Sequence, residues 1–258
     1  MTGLDLTPAP GAAPLARQIR AQARMETRLL LRNGEQLLLA VVIPVLVLVG
    51  GVLALRTVDL DLAHRPVDEL TPGVLALAIM SSAFTSVAIA TGFERRYGVL
   101  KRLGASPLPR TGLLAGKVLS LLVVEVLQVA LVAVIGLALG WSPTWSVAGI
   151  AGFLLALLLG TAAFASLGLL MAGTLRAEAT LAAANLVYLL LLAGGAVVLP
   201  SSSYGGFGAV AQWLPSGALG EAMRTAFIDG SVAWSSLLCL LGWALVGGYL
   251  TARTFTWD

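Results

Sequence analysis

The chain has 258 residues, of which 58% are hydrophobic and 11% charged, and its mean hydropathy is +0.93. So little polar surface cannot solvate a globule of this size, which excludes a water-soluble domain and puts the protein in lipid. The formal charge of +3 comes from basic residues that flank apolar runs rather than interleave with aromatics, which argues against nucleic acid as a partner and for anionic headgroups.

Residues 1–14 carry three prolines among small residues and are expected to be disordered. Residues 15–35 are predicted to form an amphipathic helix in the membrane interface. Arg20, Arg24, Arg28 and Arg32 recur there every four residues, with Arg17 ahead of them, while Leu15, Ile19, Met25, Leu29 and Leu30 fall on another side. Such a basic face suits lipid headgroups and a cytosolic partner alike. The first 36 residues lack the apolar stretch and cleavage site of a signal peptide, so insertion is expected to rely on the first span.

Crossing roughly 30 Å of hydrocarbon takes about 20 apolar residues. Six runs meet that length, at about 36–55, 73–93, 118–139, 146–173, 179–199 and 232–250. Pro44 predicts a kink in the first, and Thr71-Pro72 reads as the start of the second. The uncharged run 126–174 is divided at Gly140-Trp141-Ser142-Pro143-Thr144-Trp145, where a proline meets two tryptophans of the kind that sit at membrane interfaces. Residues 204–229 are too apolar for a simple loop and too broken by Gly and Pro to span, which predicts short external or re-entrant helices before the last crossing. The fold class is an all-α membrane protein whose residues 36–258 form a six-span transmembrane domain; no alternating pattern supports a barrel.

Few side chains suggest chemistry. His64 lies among Asp59, Asp61, Asp68 and Glu69 in what reads as a solvated acidic loop, since a metal site needs more ligands of matched geometry. Gly112 to Val118 imitates a phosphate-binding loop, but its glycines are one residue too close and Val118 replaces the required Ser or Thr. Lys117 then reads as an interface anchor, and no cofactor or metal site is expected in this chain. Cys239 has no partner for a disulfide, and no nucleophile, base and orienting group come together as a catalytic set. Glu125 is the one acidic residue deep in a span, with Gln128 a turn further on; they mark a substrate path or subunit interface, or else a hydrogen-bonded packing contact. Asn185 and Tyr188 are weaker polar candidates that also suit interhelical hydrogen bonds. Gly112/Gly116 and Gly136/Gly140 have the spacing for close helix approach, yet glycine is too abundant here for them to identify an interface.

In this layout thirteen of the sixteen Lys and Arg residues fall on one side, including Arg95, Arg96, Lys101, Arg102, Arg110 and Lys117 between the second and third spans. Arg56, Arg65 and Arg224 fall on the other, so both termini are expected in the cytoplasm.

The stretch Glu94-Arg95-Arg96-Tyr97-Gly98-Val99-Leu100-Lys101-Arg102-Leu103-Gly104-Ala105-Ser106-Pro107-Leu108 resembles the cytosolic coupling segment of ABC-2 type transporter permeases. Members end their second span on a Glu followed by a charged residue, Gly, Leu and a later Ser/Thr-Pro, matched here by Glu94, Gly98, Leu100, Leu103, Ser106 and Pro107; Val99 and Lys101 stand where many carry Thr and Glu. Trp213 to Arg224 is similar to the external segment such permeases carry before their last helix. The resemblance implies a permease subunit of a bacterial plasma-membrane exporter. It implies a separate cytosolic ATPase that holds ATP and magnesium, a second permease chain, identical or homologous, and a hydrophobic or amphipathic cargo. A transporter driven by an ion gradient through Glu125 is the alternative from a different class, though the chain lacks the further buried charges and inverted repeats such machines often carry.

Overall fold

The computed structural model describes residues 13–32, 34–55, 62–104 and 109–255. The expectations placed on residues 1–12, Arg56, Asp59, Asp61, Ser106 and Pro107 lie outside the described residues, and Leu100 and Arg110 are described through their backbone alone. The elements in order are α1 (Leu15–Arg32), α2 (Gly34–Ala54), α3 (Pro66–Met80), a π turn (Ser81–Ser86), α4 (Val87–Arg96), α5 (Val99–Gly104), α6 (Arg110–Ala138), α7 (Val147–Thr174) and α8 (Ala177–Gly194). A 3-10 turn (Ser201–Phe207), α9 (Gly208–Ala211), α10 (Pro215–Arg224), a second π turn (Thr225–Asp229) and α11 (Trp234–Thr254) complete the chain. No strand occurs among the described residues.

Five helical stretches among the described residues are long and apolar enough to cross a membrane: Pro66–Arg96, Ala115–Ala138, Val147–Thr174, Ala177–Gly194 and Trp234–Thr254. Within α2, Val42–Ala54 is a shorter apolar helix. The second predicted span begins earlier than Thr71-Pro72 suggests, because Pro66 fits the first helical position and Asp68 and Glu69 complement the helix dipole in the first turn. Pro72 is thus inside the helix rather than at its start. Glu69, expected in a solvated loop, is buried and lies 3.0 Å from His64 Nδ1.

The stretch α3–π turn–α4 is the central column. Val74 through Met80 are all fully buried, and a helix apolar on every side belongs inside a bundle. Helix α7 packs against α11, α4, the first π turn and α10. Its contact stripe is Gly152, Ala156, Gly160, Phe164, Gly168 and Ala172, one residue per turn. Lipid tails are as apolar as leucine, so small residues that let backbones approach hold such helices together. At Gly168 a Cβ would stand 2.8 Å from the Phe84 carbonyl oxygen, and Phe84 meets Phe164 edge-on at 6.3 Å.

Two ends of the bundle can be told apart. One gathers α1, the end of α4, α5, the start of α6, the α7–α8 turn and Phe255, against which Gly173 packs. The other holds Arg65, residues 139–146 and residues 200–230. There Thr144 N donates to Phe227 O at 2.7 Å, and Trp141, Trp145 and Phe153 surround the Phe227 ring. Trp141, expected at the lipid interface, is buried in this aromatic cluster, while Trp145 stays exposed.

Candidate coupling site at one end of the bundle

The candidate coupling residues from Glu94 to Gly104 fall on two helices, the end of α4 and α5. Helix α4 ends at Tyr97-Gly98, where Gly98 adopts φ +67, a left-handed turn natural to glycine, and Gly98 N bonds Arg95 O at 3.1 Å. Helix α5 then leaves in a new direction with Lys101 and Arg102 exposed and Leu103 half-buried. Tyr97 stands at the corner, largely exposed, stacked on Phe93 at 6.1 Å and beneath the Arg96 guanidinium at 5.7 Å.

Glu94, Arg95 and Arg96 face three different neighbours. Glu94 Oε1 accepts from Lys117 Nζ on α6 at 2.7 Å, and the same ammonium lies 3.2 Å from Glu26 on α1. Gln22, one turn before Glu26, donates to Glu26 Oε1 at 2.8 Å. Lys117 is therefore a bridge between helices, not the lipid anchor its position suggests. Arg95 donates to the carbonyls of Gly173 and Leu175 at 2.6 and 2.7 Å, capping the C-terminus of α7, where a cation complements the helix dipole. Arg96 pairs with Glu178 in the first turn of α8. A cleft of about 490 Å³ opens between them, lined by Gly92, Arg95, Arg96, Gly98, Lys101, Arg176, Ala177 and Glu178.

Helix α1 packs along α6. Its buried residues are Gln22 and Ala23, whereas Arg17, Arg20, Arg24, Arg28 and Arg32 are exposed, and so are Met25 and Leu29. Of the apolar residues on the other side of the helix, Ile19 and Leu30 are half-buried and Leu15 is exposed; the face turned to α6 is small and polar where it meets the Lys117 bridge. Gly116 makes this possible, since a Cβ there would stand 2.6 Å from Gln22 Cγ.

The intramembrane candidates do not converge. Glu125 is fully buried; Thr161 on α7 donates to its Oε2 at 2.7 Å, and its Oε1 has no hydrogen-bond partner among the described residues. Gln128 is buried against the first π turn, where the Ser82 hydroxyl donates to it. Asn185 is exposed on the outside of α8.

Composition gives no hint of Arg224. It ends α10 at the opposite end of the bundle and is 4% exposed. Its guanidinium donates to the carbonyls of Ala196, Val197 and Val198 at 3.1 to 3.4 Å, and Nε lies 3.5 Å from Glu221. Burial pulls the guanidinium below its ordinary pKa, opposed by the carboxylates of Glu221 and Glu69. The one local mark in the sequence is Glu221, three residues before it and so on the same side of the helix.

A bundle with five helical stretches long and apolar enough to cross a membrane among its described residues, its basic end tied by half-buried ion pairs, is a membrane protein. The family model of ABC-2 type transporters matches residues 15–228, from the start of α1 to the second π turn, and the chain belongs to that family. It is also similar to the protein named "Putative transport permease YvfS" of Bacillus subtilis (strain 168), 25% identical over 174 residues that cover 66% of this chain and 69% of that one. The chain is a membrane transport permease.

Proposed function

We propose that this chain is the transmembrane subunit of an ATP-driven exporter in a bacterial plasma membrane, moved by a separate cytosolic ATPase that binds ATP and magnesium. It works beside a second permease chain, and α2 serves as the first of six crossings. Both termini and α5 face the cytoplasm, α1 lies at the headgroups, residues 201–229 cap the outer end, and the cargo is hydrophobic or amphipathic: a drug- or antibiotic-like compound, or a lipid or glycan precursor. The observation that carries this reading is the convergence at one end of α1, the α4–α5 corner and the α7–α8 turn, with Tyr97, Lys101 and Arg102 left exposed toward a partner.

The second reading, an ion-gradient transporter, rests on Glu125, whose buried Oε1 lacks a hydrogen-bond partner among the described residues. Uptake of a panel of hydrophobic dyes into inverted membrane vesicles separates the two. The exporter reading predicts uptake that needs ATP, survives dissipation of the ion gradient and survives Glu125→Gln. Uptake that needs the gradient and is lost with Glu125→Gln favours the second.

A further inference from the structure

The Glu26–Lys117–Glu94 bridge joins three separate elements. Side-chain exposures are 17% for Lys117, 12% for Glu26 and 19% for Glu94, so solvent screens the cluster far less than it screens a surface pair. One ammonium serves two carboxylates, which repel each other once it is removed. Gln22 fixes the Glu26 carboxylate, and Gly116, beside Lys117, lets α1 lie directly on α6. Glu94 is in the last turn of α4, which continues through the first π turn into the central helix α3.

We propose that Lys117 is a positioning residue that locks α1, the end of α4 and the start of α6 into one rigid body, so that a displacement applied at the α4–α5 corner is delivered to α1 and α6 together. This deepens the exporter reading and rests on it for the source of the displacement; the rigid body itself does not depend on that source. Without the bridge, α4 could move while α1 stayed with the lipid. A packing role alone would be filled by any side chain of similar volume, whereas a charge bridge follows sign and not shape.

The test uses the full chain in lipid nanodiscs, with Cys239→Ser and spin labels at the exposed positions Leu29 on α1 and Tyr97 at the corner. The bridge predicts one narrow distance population in the parent, a broadened or split one in Lys117→Met, and a narrow one again when the charges are exchanged by Lys117→Glu, Glu26→Lys and Glu94→Lys together. Where Lys117→Met does not insert, Glu26→Gln, which releases only α1, carries the same prediction of broadening. A distribution unchanged by Lys117→Met or by Glu26→Gln overturns the proposal, as does a charge-exchanged protein that inserts and stays monodisperse but remains broad. In vesicles that hold the partner ATPase, Lys117→Met is expected to lose cargo uptake while ATP hydrolysis continues. Absence of any ATP effect in the parent contradicts the exporter reading and leaves the distance result standing.

Discussion

The Arg224 guanidinium reaches the Ala196 carbonyl at 3.1 Å, and Ala196 holds φ +53, the one left-handed non-glycine among the described residues. A cation at the end of α10 thus holds the irregular segment after α8 in a backbone conformation that an L-residue adopts only at a cost. Arg224→Gln leaves up to three carbonyls without donors, each costing about 1–3 kcal/mol when buried. The expected outcome is a clear fall in thermal stability in detergent and new reactivity of a Val197→Cys thiol toward a membrane-impermeant maleimide. Arg224→Lys should rescue neither, because an ammonium lacks the planar fork that serves several carbonyls at once. Parental stability in Arg224→Gln would contradict this reading of the outer segment.

Gly220 and Gly248 give opposite expectations for the same substitution. A Cβ at Gly220 would stand 2.6 Å from the Val197 carbonyl oxygen, and backbone cannot step aside, so Gly220→Ala should destabilise by about 1–3 kcal/mol. Nothing lies within 4 Å of a Cβ at Gly248, where alanine should be neutral or stabilising by up to about 1 kcal/mol through helix propensity. Thermal unfolding of both variants, compared with the parent, checks the pair.

Thr161 is the donor that Glu125 has on α7. Thr161→Val should leave the buried carboxyl with no donor there and cost about 1–3 kcal/mol, whereas Thr161→Ser should be nearly silent. Equal stability of the two variants would remove this hydrogen bond from the account. Glu125→Gln retains an oxygen to accept from Thr161 and is expected to fold.

The proposed sidedness assigns the two ends of the bundle to opposite faces of the membrane. Cysteines at Tyr97 and Trp145, both largely exposed, should react with an impermeant thiol reagent from opposite faces of the membrane, Tyr97 only after the cells are opened. Labelling of both from the same face would refute the layout.

Much of the fold is legible in the sequence because lipid imposes a simple rule: uncharged length becomes helix. The predicted limits 146–173 and 118–139 fall close to α7 and along α6, and 73–93 lies within one continuous helix. What the sequence does not reveal depends on distant neighbours. Lys117 looks like any basic residue at a span end until Glu26 and Glu94 are brought to it, and Trp141 looks like an interface residue until Phe227 arrives. The corner at Gly98 is a local feature, since a glycine that follows a helical run is a natural left-handed stop. The first π turn, which faces Gln128 through Ser82, has no marker in hydropathy, which reports polarity and not the pitch of a helix.

The central claim is that an ATPase presses on the α4–α5 corner. A photo-reactive amino acid in place of the exposed Tyr97, activated in living cells, tests it most directly. The account predicts one crosslinked partner carrying a phosphate-binding loop, lost when Lys101 and Arg102 are both changed to Glu. A corner that crosslinks only to lipid or to proteins outside the cell would contradict it.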